Sequence, residues 1–161
     1  MPIQIVHGDL LNQDVEAIVN PWNRNFIPWW LLVPQGVSGQ IKRKAGKGPF
    51  RELAKAGMMK TGQAVQTSAG RLPYKWILHV AALEWYWVAT DCSIRESAKN
   101  AVELAKELGI RSLAFPLIGA GTGGKNQERS LELIREACEE NACDLEVTIV
   151  RFQKAAGDKI S

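Results

Sequence analysis

With 161 residues, 46% apolar and 23% charged, the chain has the length and composition of one globular domain around a sizeable core. Its net charge of +3 is too small to demand a nucleic-acid partner, so nucleic acid is not the first expectation. The start, MPIQIVHGDL, lacks a basic segment followed by an apolar one, and the densest apolar run, Phe26 to Val33, is well short of the roughly 18–20 residues that cross a bilayer. We therefore expect no secretory signal, no membrane association and a cytoplasmic chain. The domain is expected to span 1–161, with its core over about 3–152 and a C-terminal tail over 153–161.

Apolar segments in chain order predict six strands. Ile3–Val6 is the first and Val15–Asn20 the second. Ala64–Thr67 is a short third, followed by a turn over Gly70–Pro73. Trp76–Ala81 and Ser112–Ile118 carry the β-branched and aromatic runs of buried strands, and Leu145–Phe152 alternates as a last strand. Helices fit between them. Val37–Ala45 and Phe50–Ala56 are short. Asp91–Leu108 places Ile94, Ala98, Ala101, Val102 and Ala105 at helical spacing and ends on Gly109. Asn126–Asn141 places Leu131, Leu133, Ile134 and Ala137 similarly, with Asn126 as its N-cap. This alternation predicts a three-layer α/β domain. Ligands of such folds sit beyond the carboxyl ends of the strands, so the strand-exit loops are where chemistry is sought.

Four such loops stand out. After the fifth strand, Phe115–Lys125 reads FPLIGAGTGGK. Its glycines admit positive φ and close backbone approach, and successive N–H groups there, with the following helix N-terminus, form a nest for phosphate or diphosphate. Gly119, Gly124 and Lys125 also match most of the P-loop pattern, but Asn126 lacks the hydroxyl that holds Mg²⁺ and no strand-end Asp follows. After the first strand comes HGDL, in which the Asp9 carboxylate can accept from an exocyclic amine or cap a turn. The second strand ends in IVNPWN, where Asn20 and Asn23 can hold ribose hydroxyls or brace the loop backbone. The last is QGVSGQIKRKAG, Gln35–Gly46, a glycine-bearing turn entering a helix and a further source of N–H donors.

Other features have ordinary explanations. Cys92, Cys138 and Cys143 form no CxxC and lie far from His7 and His79, so no metal and no cofactor is expected, and the thiols are read as reduced. His79, between Leu78 and Val80, is read as a satisfied core histidine, and a structural role is favoured for His7 too. Lys42, Arg43, Lys44, Lys47, Arg51, Lys55 and Lys60 face a single acid, Glu52, as a solvated helix face or a positive field near an anionic ligand.

In this order GDL, IVNPWN, GVSGQIKRKAG and FPLIGAGTGG, together with ILHVA at the end of the fourth strand, resemble the hallmark segments of the macro domain family from Ile3 to about Phe152. The resemblance implies a mixed six-stranded sheet between helices and an ADP-ribose cleft across the strand ends. By position Asp9 would take the adenine amine, with Leu10 beside it and Phe152 at its edge. Gly36, Val37 and Ser38 would form one phosphate-side loop, and Gly119, Ala120, Gly121, Thr122 and Gly123 the other. Asn20 and Asn23 would lie on the ribose side. ADP-ribose, or an ADP-ribosylated protein or nucleic acid, is the implied partner.

The chain departs from the family at points that bear on catalysis. Ser38 stands where the hydrolases of the family place an Asp, Val80-Ala81-Ala82 offers no lysine nucleophile, NPWN replaces NAAN, and Gly123 replaces a loop aromatic. Asn23 and Ser38 are the catalytic candidates that remain. They would serve hydrolysis of an ADP-ribosyl linkage, ADP-ribose-1″-phosphate or O-acetyl-ADP-ribose, and the alternative is a non-catalytic reader. The Trp-rich stretch 22–33, with Trp29 and Trp30, is read as an aromatic lid, as burial against Trp85 and Trp87, or as a protein-docking patch. Arg24 beside it is a candidate phosphate contact.

Overall fold

Period-two alternation sorts the strand residues into two cores, one on each face of a sheet. The computed structural model describes residues 3–24, 36–83, 88–120 and 126–152. Its strands are β1 (Ile3–Gly8), β2 (Ala17–Trp22), β3 (Ala64–Thr67), β4 (Trp76–Ala81), β5 (Ser112–Pro116) and β6 (Glu146–Phe152). Its helices are α1 (Gly36–Ala45), α2 (Gly48–Ala54), α3 (Asp91–Glu107) and α4 (Gln127–Asn141), with a single 3₁₀ turn at Leu10–Asn12. The strands form one mixed sheet in the order β1-β6-β5-β2-β4-β3. All neighbours run parallel except the β3–β4 pair.

Ala17, Val19, Leu78, Val80, Leu113, Phe115, Val147 and Ile149 pack under α3 and α4. Ile18, Trp22, Ile77, Ala81, Ala114 and Val150 point the other way, to Ile41 and Ala45 of α1, Phe50 and Leu53 of α2, and Leu10 of the 3₁₀ turn. The result is the three-layer α/β/α arrangement that the alternating pattern predicts. Each fully buried large side chain contributes roughly 1.5–3 kcal/mol relative to exposure, so these two cores are the main source of stability. Among the described residues no helix is long and apolar enough to cross a membrane.

Helix ends follow local chemistry. Thr90 and Ser93 form a reciprocal capping box at the start of α3. Asn126 Oδ1 accepts from the backbone N–H groups of Glu128 and Arg129, capping α4 as its sequence position predicts. Pro49 sits in the first turn of α2, so that helix starts at Gly48 and not at Phe50.

The second strand begins and ends two residues later than its apolar run predicts. The pairing with β4 continues through Pro21↔Val80 and Trp22↔Ala81. The Trp22 carbonyl faces that way, accepting from Ala82 and Leu83 N–H. Alternation turns the Pro21 peptide groups to the opposite side, towards β5, whose pairing with β2 is confined to Ala17↔Leu113 and Ile18↔Ala114. A proline is tolerated there because β5 offers no ladder partner for the missing N–H.

That divergence sits where the chain changes direction. From β5 the connection runs through α4 to β6, and from β2 through α1, α2 and β3 to β4, on opposite faces and towards opposite edges. Adjacent parallel strands whose connections part in this way leave a crevice between their exits.

Candidate functional site

The five mutually parallel strands all end on the same edge of the sheet, so the exits of β1, β6, β5 and β2 line up along the crevice. At its β1 end, Asp9 Oδ1 accepts from Leu11 N–H at 2.9 Å and caps the 3₁₀ turn. Gln13 Nε2 donates to the Asp9 carbonyl at 2.8 Å, and the Tyr74 hydroxyl donates to the Gln13 carbonyl at 3.0 Å. Burial first, and the Asp9 charge second, push the Tyr74 phenol above its ordinary range. The cap occupies Oδ1, and Oδ2 has no hydrogen-bond donor among the described residues. Leu10 is buried beneath. Phe152, the register partner of Gly8 and so one strand across from the chain entering Asp9, is 60% exposed.

At the centre, Gly36 opens α1 in the left-handed region, φ +60°, and carries the chain from the loop into the helix. The N–H groups of the first helical turn have no partner within a helix, and α1 carries no acid in that turn. The positive end of its dipole favours an anion, and Lys42, Arg43 and Lys44 complement the opposite end. Opposite, β5 ends at Pro116 and the chain turns at Leu117–Ala120, with Gly119 buried at φ +78°. Ser130 of α4 donates to the Ile118 carbonyl at 2.7 Å and fixes the entrance to the glycine segment. Gly121, Thr122 and Gly123 lie outside the described residues.

The N-terminus of α4 does not take the role its sequence position suggests. Asn126 occupies its first-turn donors, and Glu128 adds negative charge there. That leaves the α1 N-terminus and the turn at Gly119 as the candidate anion sites among the described residues. The same cap gives Asn126 a structural role.

Asn20 does not reach the crevice surface, contrary to its expected place beside a ribose. Extension of β2 to Trp22 leaves it mid-strand, on the same face as Ile18 and Trp22 and fully buried. Its Nδ2 lies 2.9 Å from His79 Nδ1, and its Oδ1 accepts from the Ser38 hydroxyl at 2.6 Å. Ser38 Oγ also lies 2.8 Å from the Pro21 carbonyl. His79 Nε2 lies 2.8 Å from Thr67 Oγ1, and Thr67 in turn donates to the Ser68 carbonyl at 3.0 Å. With this amide orientation the ring carries its proton on Nε2 and every group in the chain is satisfied. Burial alone holds His79 neutral, its pKa lowered to about 3. Phe50 meets the His79 ring edge-on at 5.6 Å, and Trp22 packs in a tilted arrangement against Phe50 at 5.2 Å.

His79 is thus the satisfied core histidine its position predicts. Ser38, 8% exposed, has its hydroxyl turned inward and not to the crevice. Asn23 is buried at the β2 exit. Arg24 Nε donates to the Met59 carbonyl at 2.8 Å, which ties this exit to the segment after α2. Trp22 is a core residue, which removes it from any docking patch, and residues 25–35 and 84–87 fall outside the described residues. His7 is exposed on β1, so it has no buried structural role. Among the described residues no cluster of three His, Cys, Asp or Glu could hold a metal ion.

Thr67, Ser130 and Tyr74 brace the site and had not been singled out from sequence. Their partners lie 12 to 64 residues away, and no local pattern points to them.

The family model for the Macro domain matches residues 19–134. A macro domain-containing protein of Streptomyces griseus is 37% identical over 76% of this chain and 70% of its own length. One from Methanosarcina mazei is 31% identical over 94% of this chain and 82% of its own. A Trypanosoma brucei macrodomain solved in complex with ADP-ribose superposes with a TM-score of 0.75 at 25% identity, over 94% of this chain and 64% of the other. The chain belongs to the Macro domain family.

Proposed function

We propose that the chain binds ADP-ribose or an ADP-ribosyl derivative in the crevice between the exits of β5 and β2. The observation that carries this reading is the pair of glycine-bearing turns at the switch point, Gly36 at the α1 N-terminus and Gly119 after β5, both at positive φ. Asp9 and Phe152 stand further along the same edge. The diphosphate suits the N–H groups of Gly36, Val37 and Ser38 on one side and the turn at Gly119 and Ala120 on the other. Adenine suits the end where Asp9 can accept from its exocyclic amine while Phe152 covers its face. The complex of the Trypanosoma brucei macrodomain with ADP-ribose supports the ligand class.

Turnover is the finer reading, with ADP-ribosyl linkages, ADP-ribose-1″-phosphate or O-acetyl-ADP-ribose as substrates. Water would attack the anomeric carbon and the bond to the leaving group would break. Because Ser38 spends its hydroxyl inside the fold, the proton of that water would pass to a ligand phosphate, with Asn23 orienting the distal ribose. Titration calorimetry with ADP-ribose, AMP, ADP and ATP tests binding. Preference for ADP-ribose is expected, and equal affinity for all four would reject the reading. Incubation of the ADP-ribosyl substrates with wild type and Asn23→Ala tests turnover, which is rejected if wild type releases no product.

A second reading, recognition of ADP-ribose carried on a polyanion without turnover, draws on the α1–α2 surface. Arg43, Lys44, Lys47 and Lys55 are exposed and pair with no carboxylate among the described residues, and Glu52 is held by Ser68. Burial, and then the nearby Lys47, lower the Lys42 pKa, as expected where cations crowd. Steep loss of affinity with salt for an ADP-ribosylated polymer, absent for free ADP-ribose, would favour it.

A further inference from the structure

The Ser38 hydroxyl ends a line of buried polar groups that begins at the far side of the sheet. Thr67 on β3, His79 on β4, Asn20 on β2 and Ser38 on α1 follow one another at 2.8, 2.9 and 2.6 Å. They cross a face whose other members are Ile18, Trp22, Ile41, Phe50 and Ile77. Burying so many polar groups carries a desolvation cost that an apolar contact between helix and sheet avoids. What the polar line supplies is direction: hydrogen bonds fix angles that apolar contacts leave loose.

The fixed element is the first turn of α1. Ser38 is its third residue, and its hydroxyl meets both the Asn20 amide and the Pro21 carbonyl, which faces the gap where β5 has diverged. The serine therefore stands in for the missing ladder partner of β2. It holds the helix start at the crevice wall and sets where the N–H groups of that turn point. The line is neutral throughout, so it acts on an anion through geometry and not through charge.

We infer that Ser38 is a positioning residue, the end of a Thr67–His79–Asn20–Ser38 line that orients the α1 N-terminus for the phosphate half of the ligand. This rests on the ADP-ribose reading. It separates the diphosphate side of the site, which the line governs, from the adenosine side at Asp9 and Phe152, which it does not touch.

The test compares ADP-ribose and adenosine on wild type, Ser38→Ala and Thr67→Val, with thermal melts to confirm that each variant is folded. Thr67→Val is near-isosteric, removes the far end of the line and touches no ligand. Calorimetry reads ADP-ribose, and ligand-observed NMR reads the weaker adenosine. Ser38→Ala is expected to weaken ADP-ribose about tenfold, and Thr67→Val severalfold, while adenosine is unchanged in both. Unchanged ADP-ribose affinity in either variant would overturn the inference, as would equal weakening of both ligands. Failure of wild type to bind ADP-ribose would instead reject the proposed function itself.

Discussion

Asn20 and His79 are register partners on adjacent parallel strands, and their side chains meet at 2.9 Å on a buried face. The pair ties β2 to β4 behind the crevice through an amide and a neutral imidazole. Both are fully buried and hydrogen-bonded, so neither group is free for ligand chemistry.

The neutrality of His79 has a consequence for stability. Its folded pKa, about 3, lies below its ordinary 6.5. Between those values the unfolded chain binds a proton that the folded chain refuses, so this contribution is complete above about pH 6.5 and declines as pH falls towards 3. The slope from this one group is about 1.4 kcal/mol per pH unit. Denaturant unfolding of wild type and His79→Gln across pH 4–7 should show it: the variant is less stable at pH 7 and loses less on acidification. Parallel pH profiles for the two proteins would contradict the account.

Gly70 and Gly48 make a contrasting pair. A Cβ on Gly70 would fall 2.2 Å from the Ala45 carbonyl oxygen, at φ +59°, against backbone at the end of α1. Gly70→Ala should cost on the order of 2 kcal/mol or more. Gly48 begins α2 with open space around it, but Pro49 follows and its Cδ crowds a helical Cβ on the preceding residue, so Gly48→Ala should stay within about 0.5 kcal/mol of wild type. Thermal melts read both changes.

Asp9→Asn keeps an oxygen to cap Leu11 and removes the charge that an adenine amine would meet. Its melting temperature should stay within a degree or two of wild type while ADP-ribose affinity falls by roughly tenfold, a loss of about 1.4 kcal/mol. Unchanged affinity would detach Asp9 from the ligand.

The three cysteines should separate by reactivity. Burial pushes Cys138 up to about 12, whereas Cys92 and Cys143 are exposed. Under native conditions at pH 8 a thiol reagent should modify Cys92 and Cys143 readily and reach Cys138 only on unfolding. Rapid native labelling of Cys138, read by peptide mass spectrometry, would contradict its placement.

Much of the architecture was legible in the sequence because apolar periodicity dictates it. The bounds of Ala64–Thr67 and Trp76–Ala81 agree with β3 and β4, and the Asn126 cap and the glycine end of α3 follow from local chemistry. The second strand was the consequential difference. Pro21 reads as a strand end, yet the departure of β5 makes it an acceptable strand residue, and Asn20 moves from exit loop to core. Its partners Ser38 and His79 lie 18 and 59 residues away, a proximity set by topology and not by any local pattern. Asp9, Leu10, Gly119, Ala120 and Phe152 follow or end parallel strands and so lie along one sheet edge, because parallel strands all exit there.

The most direct test of the central claim is a crystal structure of the chain with ADP-ribose. The account predicts the diphosphate between the Gly36–Ser38 turn and the Gly119 turn, with adenine beside Asp9 and Phe152. ADP-ribose bound away from the β5–β2 crevice, or lying there with its diphosphate clear of the α1 N-terminus, would contradict it.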